Sequence, residues 1–257
     1  DIFTFNLEPL RRAIRNMLFV SDISDATYHQ VKESADKYKE ADNNLSGYRI
    51  LLDTILAQYY GIKEVKTFLR LRGIGIDLNN LKKSLSSLAA KDKKIIEAIE
   101  TIAKEKRFFH WEIEFPEVFF ERTGESEQKI EKKKNPGFDC VIGNPPYISA
   151  PAMVKDMPDL RDYLDTAFSN VLTMKWDIYC AFVAADWFLL ANKGYLGLIV
   201  PNQFLYQDYA ENIRALLASE AEIKNIVDLG NTNVFADAVV MTCVFCLAKN
   251  KPTSTTF

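Results

Sequence analysis

The sequence is poor in the residues that hold metal ions or staple a fold. Its two histidines, His29 and His110, stand far apart in 257 residues and build no zinc-binding spacing. Four scattered cysteines do not make a disulfide framework. Cys243 and Cys246 have the spacing of a metal or redox pair but lie in the apolar run Val239 to Ala248. Residues three apart on a strand point to opposite faces, so the two sulfurs cannot share one ion, and no metal is expected. Excess positive charge is missing too. A net charge of -3 and a pI near 5.6 give no global attraction to nucleic acid, so any such contact needs a local or separately supplied basic surface. No apolar run is long enough for a bilayer and no signal-peptide pattern opens the chain, so a soluble, cytoplasmic protein is expected. Gly73-Ile74-Gly75-Ile76-Asp77 imitates part of a dinucleotide loop, but it lacks the third glycine and a preceding strand. It reads as a helix break, with Asp77 capping the next helix.

What is present is ample core material, 48% hydrophobic and 12% aromatic. Residues 1–107 read as a helical bundle or hairpin. Leu7, Leu10, Ile14, Met17 and Leu18 fall on one helical face. Ser24 or Asp25 is expected to cap a polar helix reaching about Asn43, and Tyr48–Tyr60 forms a separate amphipathic helix closed by Gly61. Two lysine-rich helices follow, near 77–90 and 91–106. Phe108 to Phe120 alternates apolar and acidic residues around Pro116, which suggests a short strand and an edge turn. Residues 121–136 are charged and read as a mobile loop.

From Phe138 the pattern changes to strands alternating with helices, the signature of a parallel sheet. Strands are expected at 138–142, 195–200, 223–229 and 239–248, with a loop and short helix over 148–170 and helices at 176–191 and 206–218. The first strand ends in Gly143-Asn144-Pro145-Pro146-Tyr147. Gly143 is expected to let the chain turn, the prolines fix φ and remove two N–H donors, and Asn144 is pushed out of the helical region. A rigid bend at a strand's carboxyl end then offers a carboxamide oxygen, carbonyls without competing amides, and an aromatic ring. An exocyclic amine on a flat heterocycle suits that combination.

These residues resemble the Asn/Asp-Pro-Pro-Tyr/Phe turn of amino-methyltransferases that use S-adenosylmethionine. The wider context is FFHWEIEFPEVFF, GFDCVIGNPPYI, KWDIYCAFVAADWFLLANKGYLGLIVPNQFL and the VF of NTNVFADAVV. Over about 108–248 it resembles the N6-adenine DNA methyltransferase region of Type IIG restriction–modification and phage-defence enzymes. The helical half is similar to the insertion that those proteins carry.

The resemblance implies an α/β fold: the C-terminal half of a Rossmann-like methyltransferase sheet, residues 108–257, preceded by a helical insertion, residues 1–107. It implies S-adenosylmethionine as cofactor and double-stranded DNA with a flipped adenine as partner. Asn144 and Pro145 would accept the N6 hydrogens, Tyr147 and Phe235 would sandwich the base, and Pro146, Asp177 and Tyr179 would touch the cofactor. The glycine-rich turn and acidic strand end that hold the cofactor in this family have no counterpart here. The chain is therefore expected to be an internal piece, its cofactor-binding half before it and a target-recognition domain after it, with weak cofactor binding and no activity alone. Methylation of RNA or of a protein glutamine, and a non-catalytic interaction module, are the alternative readings.

Overall fold

The computed structural model describes residues 8–24, 26–62, 89–124, 129–230, 232 and 240–251. The expectations placed on Gly73–Asp77, the helix near 77–90, Asp25 and Phe235 lie outside these residues. The chain divides into two compact units, 1–134 and 135–257. The division falls well after the boundary expected near 107, so the 108–134 stretch groups with the helical part.

In the first unit, α1 (Glu8–Asp22) lies against α2 (Tyr28–Ala57), with Ala13, Ile14, Leu18, Ala41, Leu45 and Tyr48 buried. The two helices expected between residues 25 and 60 are one. Gly47, which costs a helix interior about 1 kcal/mol, sits buried where packing outweighs propensity. The cap is Thr27, not Ser24. Its hydroxyl accepts from the Gln30 amide at 3.3 Å while the Gln30 carboxamide accepts from the Thr27 amide at 3.0 Å, a reciprocal capping box. A left-handed Gly61 follows the last turn, as read from the sequence. The next described helix, α3 (Ala90–Lys106), buries Ile95 and Ile99 against Ala57.

The expected strand at Phe108–Phe120 is instead two single-turn helices, α4 (Trp111–Glu114) and α5 (Pro116–Phe119). Pro116 starts the second, where its missing N–H costs nothing. The 121–136 stretch, expected to be a loop, contains the antiparallel pair β1 (Phe120–Thr123) and β2 (Lys129–Lys132), pinned by buried Phe120 and Ile130.

The second unit is α/β, as expected, but its sheet is mixed. In chain order it runs β3 (Phe138–Gly143), α6 (Ala150–Asp156), α7 (Pro158–Ala167), α8 (Ile178–Leu189), β4 (Leu190–Pro201), α9 (Glu211–Glu220), β5 (Glu222–Asp228) and β6 (Thr242–Ala248). The sheet order is β3-β4-β6-β5, with β3 parallel to β4 and β6 antiparallel to both its neighbours. A parallel final strand would have needed a full crossover. Only residues 229–241 separate β5 from β6, and an antiparallel return needs no helix.

β3, β4 and β5 thus point the same way, and their carboxyl ends meet the start of β6. One sheet face packs Leu196, Leu198, Val200, Phe245 and Leu247 against Tyr179, Val183 and Trp187 of α8 and Ile213 of α9. Each such large apolar side chain contributes about 1.5–3 kcal/mol on burial. On the opposite face Ile142 is 82% exposed and Tyr195 45%. Cys243 and Cys246 occupy opposite faces of β6, one buried and one half-buried.

Candidate functional site

The site begins where β3 stops. Gly143 is not itself a turn; it is the last strand residue, paired with Leu198, and a Cβ there would lie 3.0 Å from Leu198 Cδ2. Glycine serves space at this point rather than conformation. A conformational glycine sits one residue before the strand: Gly137 has φ +132°, and its missing Cβ would meet Ala191 N at 2.4 Å.

After Gly143 the chain carries Asn144 exposed, Pro145 buried and Pro146 exposed. Tyr147 is half-buried, and its hydroxyl donates to the Ile199 carbonyl at 3.2 Å, which ties the ring to β4. Burial raises its phenol above the usual tyrosine range, so it stays protonated.

Asp177, immediately before α8, braces the residues that follow this turn. Its Oδ1 accepts from the Ala150 amide at 2.7 Å, and the Ile178 amide donates to the Ile148 carbonyl at 3.0 Å. Arg161 supports the brace from behind. Its guanidinium lies 3.6 Å from the Trp176 ring centroid and donates to the carbonyls of Trp176 and Met174 at 2.8 and 3.1 Å. Trp176 in turn donates to Asp165 Oδ1 at 2.8 Å. The order of these residues is local: α7 supplies Arg161 and Asp165, and the loop into α8 supplies the rest.

Tyr179, the second residue of α8, is fully buried, and its hydroxyl meets that of Tyr209 at 2.8 Å. Desolvation raises it well above the ordinary tyrosine value. Cys180 beside it is pushed up to about 12 by burial, and Cys243 to about 11, so neither is a thiolate nucleophile at neutral pH.

At the end of β4, Asn202 is 7% exposed. Its Nδ2 donates to Asp228 Oδ1 at 3.2 Å and its amide donates to the Met241 carbonyl at 2.9 Å. The same Asp228 oxygen accepts from the Gly230 amide at 2.9 Å, so the ends of β4 and β5 and the entry to β6 are joined.

These strand ends enclose a cavity of about 380 Å³ lined by Tyr147, Ser149, Asp177, Tyr179, Pro201, Asn202, Gln203, Tyr206, Val240 and Met241. Three of the site residues read from the sequence, Tyr147, Asp177 and Tyr179, meet here. Asn144, Pro145 and Pro146 belong to the adjoining turn and are not among the lining residues. Asn202, Gln203, Tyr206 and Met241 were not picked out as site residues. The available signal was Pro201-Asn202 closing a strand, because open α/β sheets bind ligands at the carboxyl ends of their strands. Three tyrosines and several carboxamide and hydroxyl groups around a space of this size suit a flat, polar heterocycle.

The chain matches the profile described as "Eco57I restriction-modification methylase" over residues 17–235. It is similar to a Methanocaldococcus jannaschii protein assigned as a type II restriction enzyme and methyltransferase, 30% identical over 68% of this chain and 12% of that protein. It is also similar to the type II methyltransferase M.BanIII of Aneurinibacillus aneurinilyticus, 33% identical over 42% of this chain and 18% of that protein. The chain therefore spans under a fifth of the length of either relative. Among solved structures, a Listeria monocytogenes protein assigned to the class I S-adenosylmethionine-dependent methyltransferases aligns with 49% of this chain and 36% of its own. The TM-score is 0.35 and the identity 16%.

Proposed function

The chain belongs to the Eco57I restriction-modification methylase family, and from that premise we propose that it carries the target-amine half of an enzyme that methylates adenine N6 in DNA. The observation that carries this reading is the Asn144–Tyr147 turn at the carboxyl end of β3, beside a cavity walled by Tyr147, Tyr179 and Tyr206.

An adenine amine is a poor nucleophile because its lone pair is delocalised into the ring. The Asn144 carboxamide oxygen and the Pro145 carbonyl accept its two hydrogens and draw the nitrogen towards tetrahedral geometry. Neither group takes a hydrogen bond among the described residues. Pro146 has no amide proton with which to compete. Acceptors fixed before the reaction stabilise charge developing on the amine most where water is excluded. The base must leave the duplex to reach them, and Tyr147, held by Ile199, gives it a stacking surface. Phe235 is proposed as the opposing ring.

S-adenosylmethionine, when bound, supplies an electrophilic methyl group. The residues in hand fit it only in part. Pro146 is exposed at the strand end and can pack against it, but the Asp177 carboxylate is engaged with Ala150 and the Tyr179 hydroxyl with Tyr209. The remaining contacts are proposed to come from a further α/β segment that pairs alongside β3, the outer strand of the described sheet. On this reading residues 1–107 are an insertion, and the 257 residues alone bind the cofactor weakly and do not methylate.

The test is nucleoside analysis of DNA from cells expressing the longer polypeptide, with and without Asn144→Ala. N6-methyladenine that disappears in the variant is expected. N4-methylcytosine, or product unaffected by the substitution, refutes the reading. Micromolar cofactor binding by the isolated 257 residues in calorimetry refutes the division of labour.

A further inference from the structure

Two acceptors at the amine leave one demand of the target base unmet. A ring nitrogen flanks the exocyclic amine, and a lone pair buried without a donor costs free energy. We propose that Gln203 supplies that donor and so selects a base with an unprotonated ring nitrogen beside its amine. The proposal rests on reading the cavity as the target-base site.

The donors around the cavity can be counted. Asn202 Nδ2 commits one of its two hydrogens to Asp228, and the Tyr147 hydroxyl is spent on the Ile199 carbonyl, so among the side-chain donors Gln203 Nε2 is the one with both hydrogens to give. Tyr179 is fully buried, and the Tyr209 oxygen is its one recorded hydroxyl acceptor among the described residues, so its proton goes there at 2.8 Å. Tyr209 must then pass its own proton outward, and it meets Gln203 Oε1 at 3.4 Å. That chain decides which way the Gln203 carboxamide faces. Its oxygen is turned to Tyr209, and Nε2, with no recorded protein partner among the described residues, is left for the cavity that Gln203 lines. The hydroxyls of Ser149 and Tyr206 can give or take a hydrogen bond and therefore do not discriminate. A carboxamide N–H can only give. It matches N1 or N7 of adenine; placed at N1 it opposes the N1–H of guanine, whereas N7 is an acceptor in both purines.

Protein-observed NMR titration of the 257-residue protein tests this with 9-methyladenine, its 1-deaza and 7-deaza analogues, and 9-methylguanine. Amide shifts of Asn202 and Met241 report whether the cavity is the place of binding. Loss of the nitrogen that Gln203 reads should weaken binding about three- to tenfold for one of the two deaza analogues. In Gln203→Ala that difference should vanish, and where the 1-deaza analogue is the weaker one, 9-methylguanine should also bind the parent more weakly than 9-methyladenine. Equal binding of 9-methyladenine and both analogues to the parent, or a difference that persists in Gln203→Ala, overturns the role of Gln203 while leaving the cavity as the base site. Absence of 9-methyladenine from the cavity overturns both. Gln203 is exposed, and unchanged amide spectra elsewhere in Gln203→Ala confirm that the variant is folded.

Discussion

Replacing Asp177 by alanine should loosen the chain that follows the Asn144–Tyr147 turn without unfolding the sheet. The substitution removes the 2.7 Å bond from the Ala150 amide to Oδ1 and a negative charge at the start of α8. A hydrogen bond to a charged group contributes about 1.5–3 kcal/mol, and a carboxylate at a helix N-terminus adds roughly 0.3–1 kcal/mol. Ala150 should therefore open more easily by about 2–4 kcal/mol, which is roughly thirty- to several-hundred-fold faster amide exchange. Asp177→Asn retains an acceptor without the charge and should recover about half of the loss. The assay is residue-resolved hydrogen exchange rather than a global melt, because a chain of two compact units need not unfold in one step. Exchange at Ala150 and Ile178 should accelerate while Leu198 and Phe245, in the sheet, hold their rates. An Ala150 rate within about threefold of the parent in Asp177→Ala would refute the brace, since that corresponds to less than about 0.7 kcal/mol.

Asp186 on α8, with no ion-pair partner among the described residues, is raised by burial from 3.8 to about 6. The fold then binds more protons than the unfolded chain between these values, so stability falls as pH rises from about 4 to 6 and is regained on acidification. Asp186→Asn should flatten that window in chemical denaturation and add about 1–2 kcal/mol at pH 7, after allowing for solvent screening of a partly exposed group. Gly137→Ala should cost about 3 kcal/mol or more, because a Cβ there meets the backbone of Leu190 and Ala191 at a positive φ; protection lost together across β3 and the start of β4 is the readout. Arg161→Lys keeps the charge but loses the fork and the stack on Trp176, and should raise exchange across the Met174–Tyr179 segment by at least tenfold. Unchanged exchange there would mean that the fork is ornamental.

Strands and helices of the second unit were legible because their apolar runs are short, strongly periodic and punctuated by Gly137, Asn144-Pro145 and Pro201. What could not be read was direction. Thr242 to Ala248 is as apolar as a parallel strand, and its antiparallel sense comes from lying between β4 and β5. Around Pro116 the alternation of apolar and acidic residues fitted a strand as well as two helical turns, and proline at a first helical position decided the matter. The break expected between Asn43 and Tyr48 is absent, because the packing that buries Gly47 outweighs the weak helix propensity of glycine. The site divides in the same way. Asn144 to Tyr147 announced itself through covalent stiffness, which is a property of the sequence. Asn202 and Gln203 acquire their roles from Asp228 and Tyr209, partners that only folding brings near.

The position of β6 also sets the order in which the second unit can assemble. It is the last of this sheet's described strands in chain order, yet it lies inside the sheet, so β4 and β5 have no common partner until residues 242–248 exist. A chain emerging from the ribosome can form the β3–α8–β4 crossover early, but β5 must wait, its edge unpaired and prone to stray pairing. Val240 and Met241, which complete the cavity wall, arrive with that same final insertion. The pocket is thus complete only once β6 has been made, and a nascent chain cut short before β6 has the Asn144–Tyr147 turn but no chamber around it.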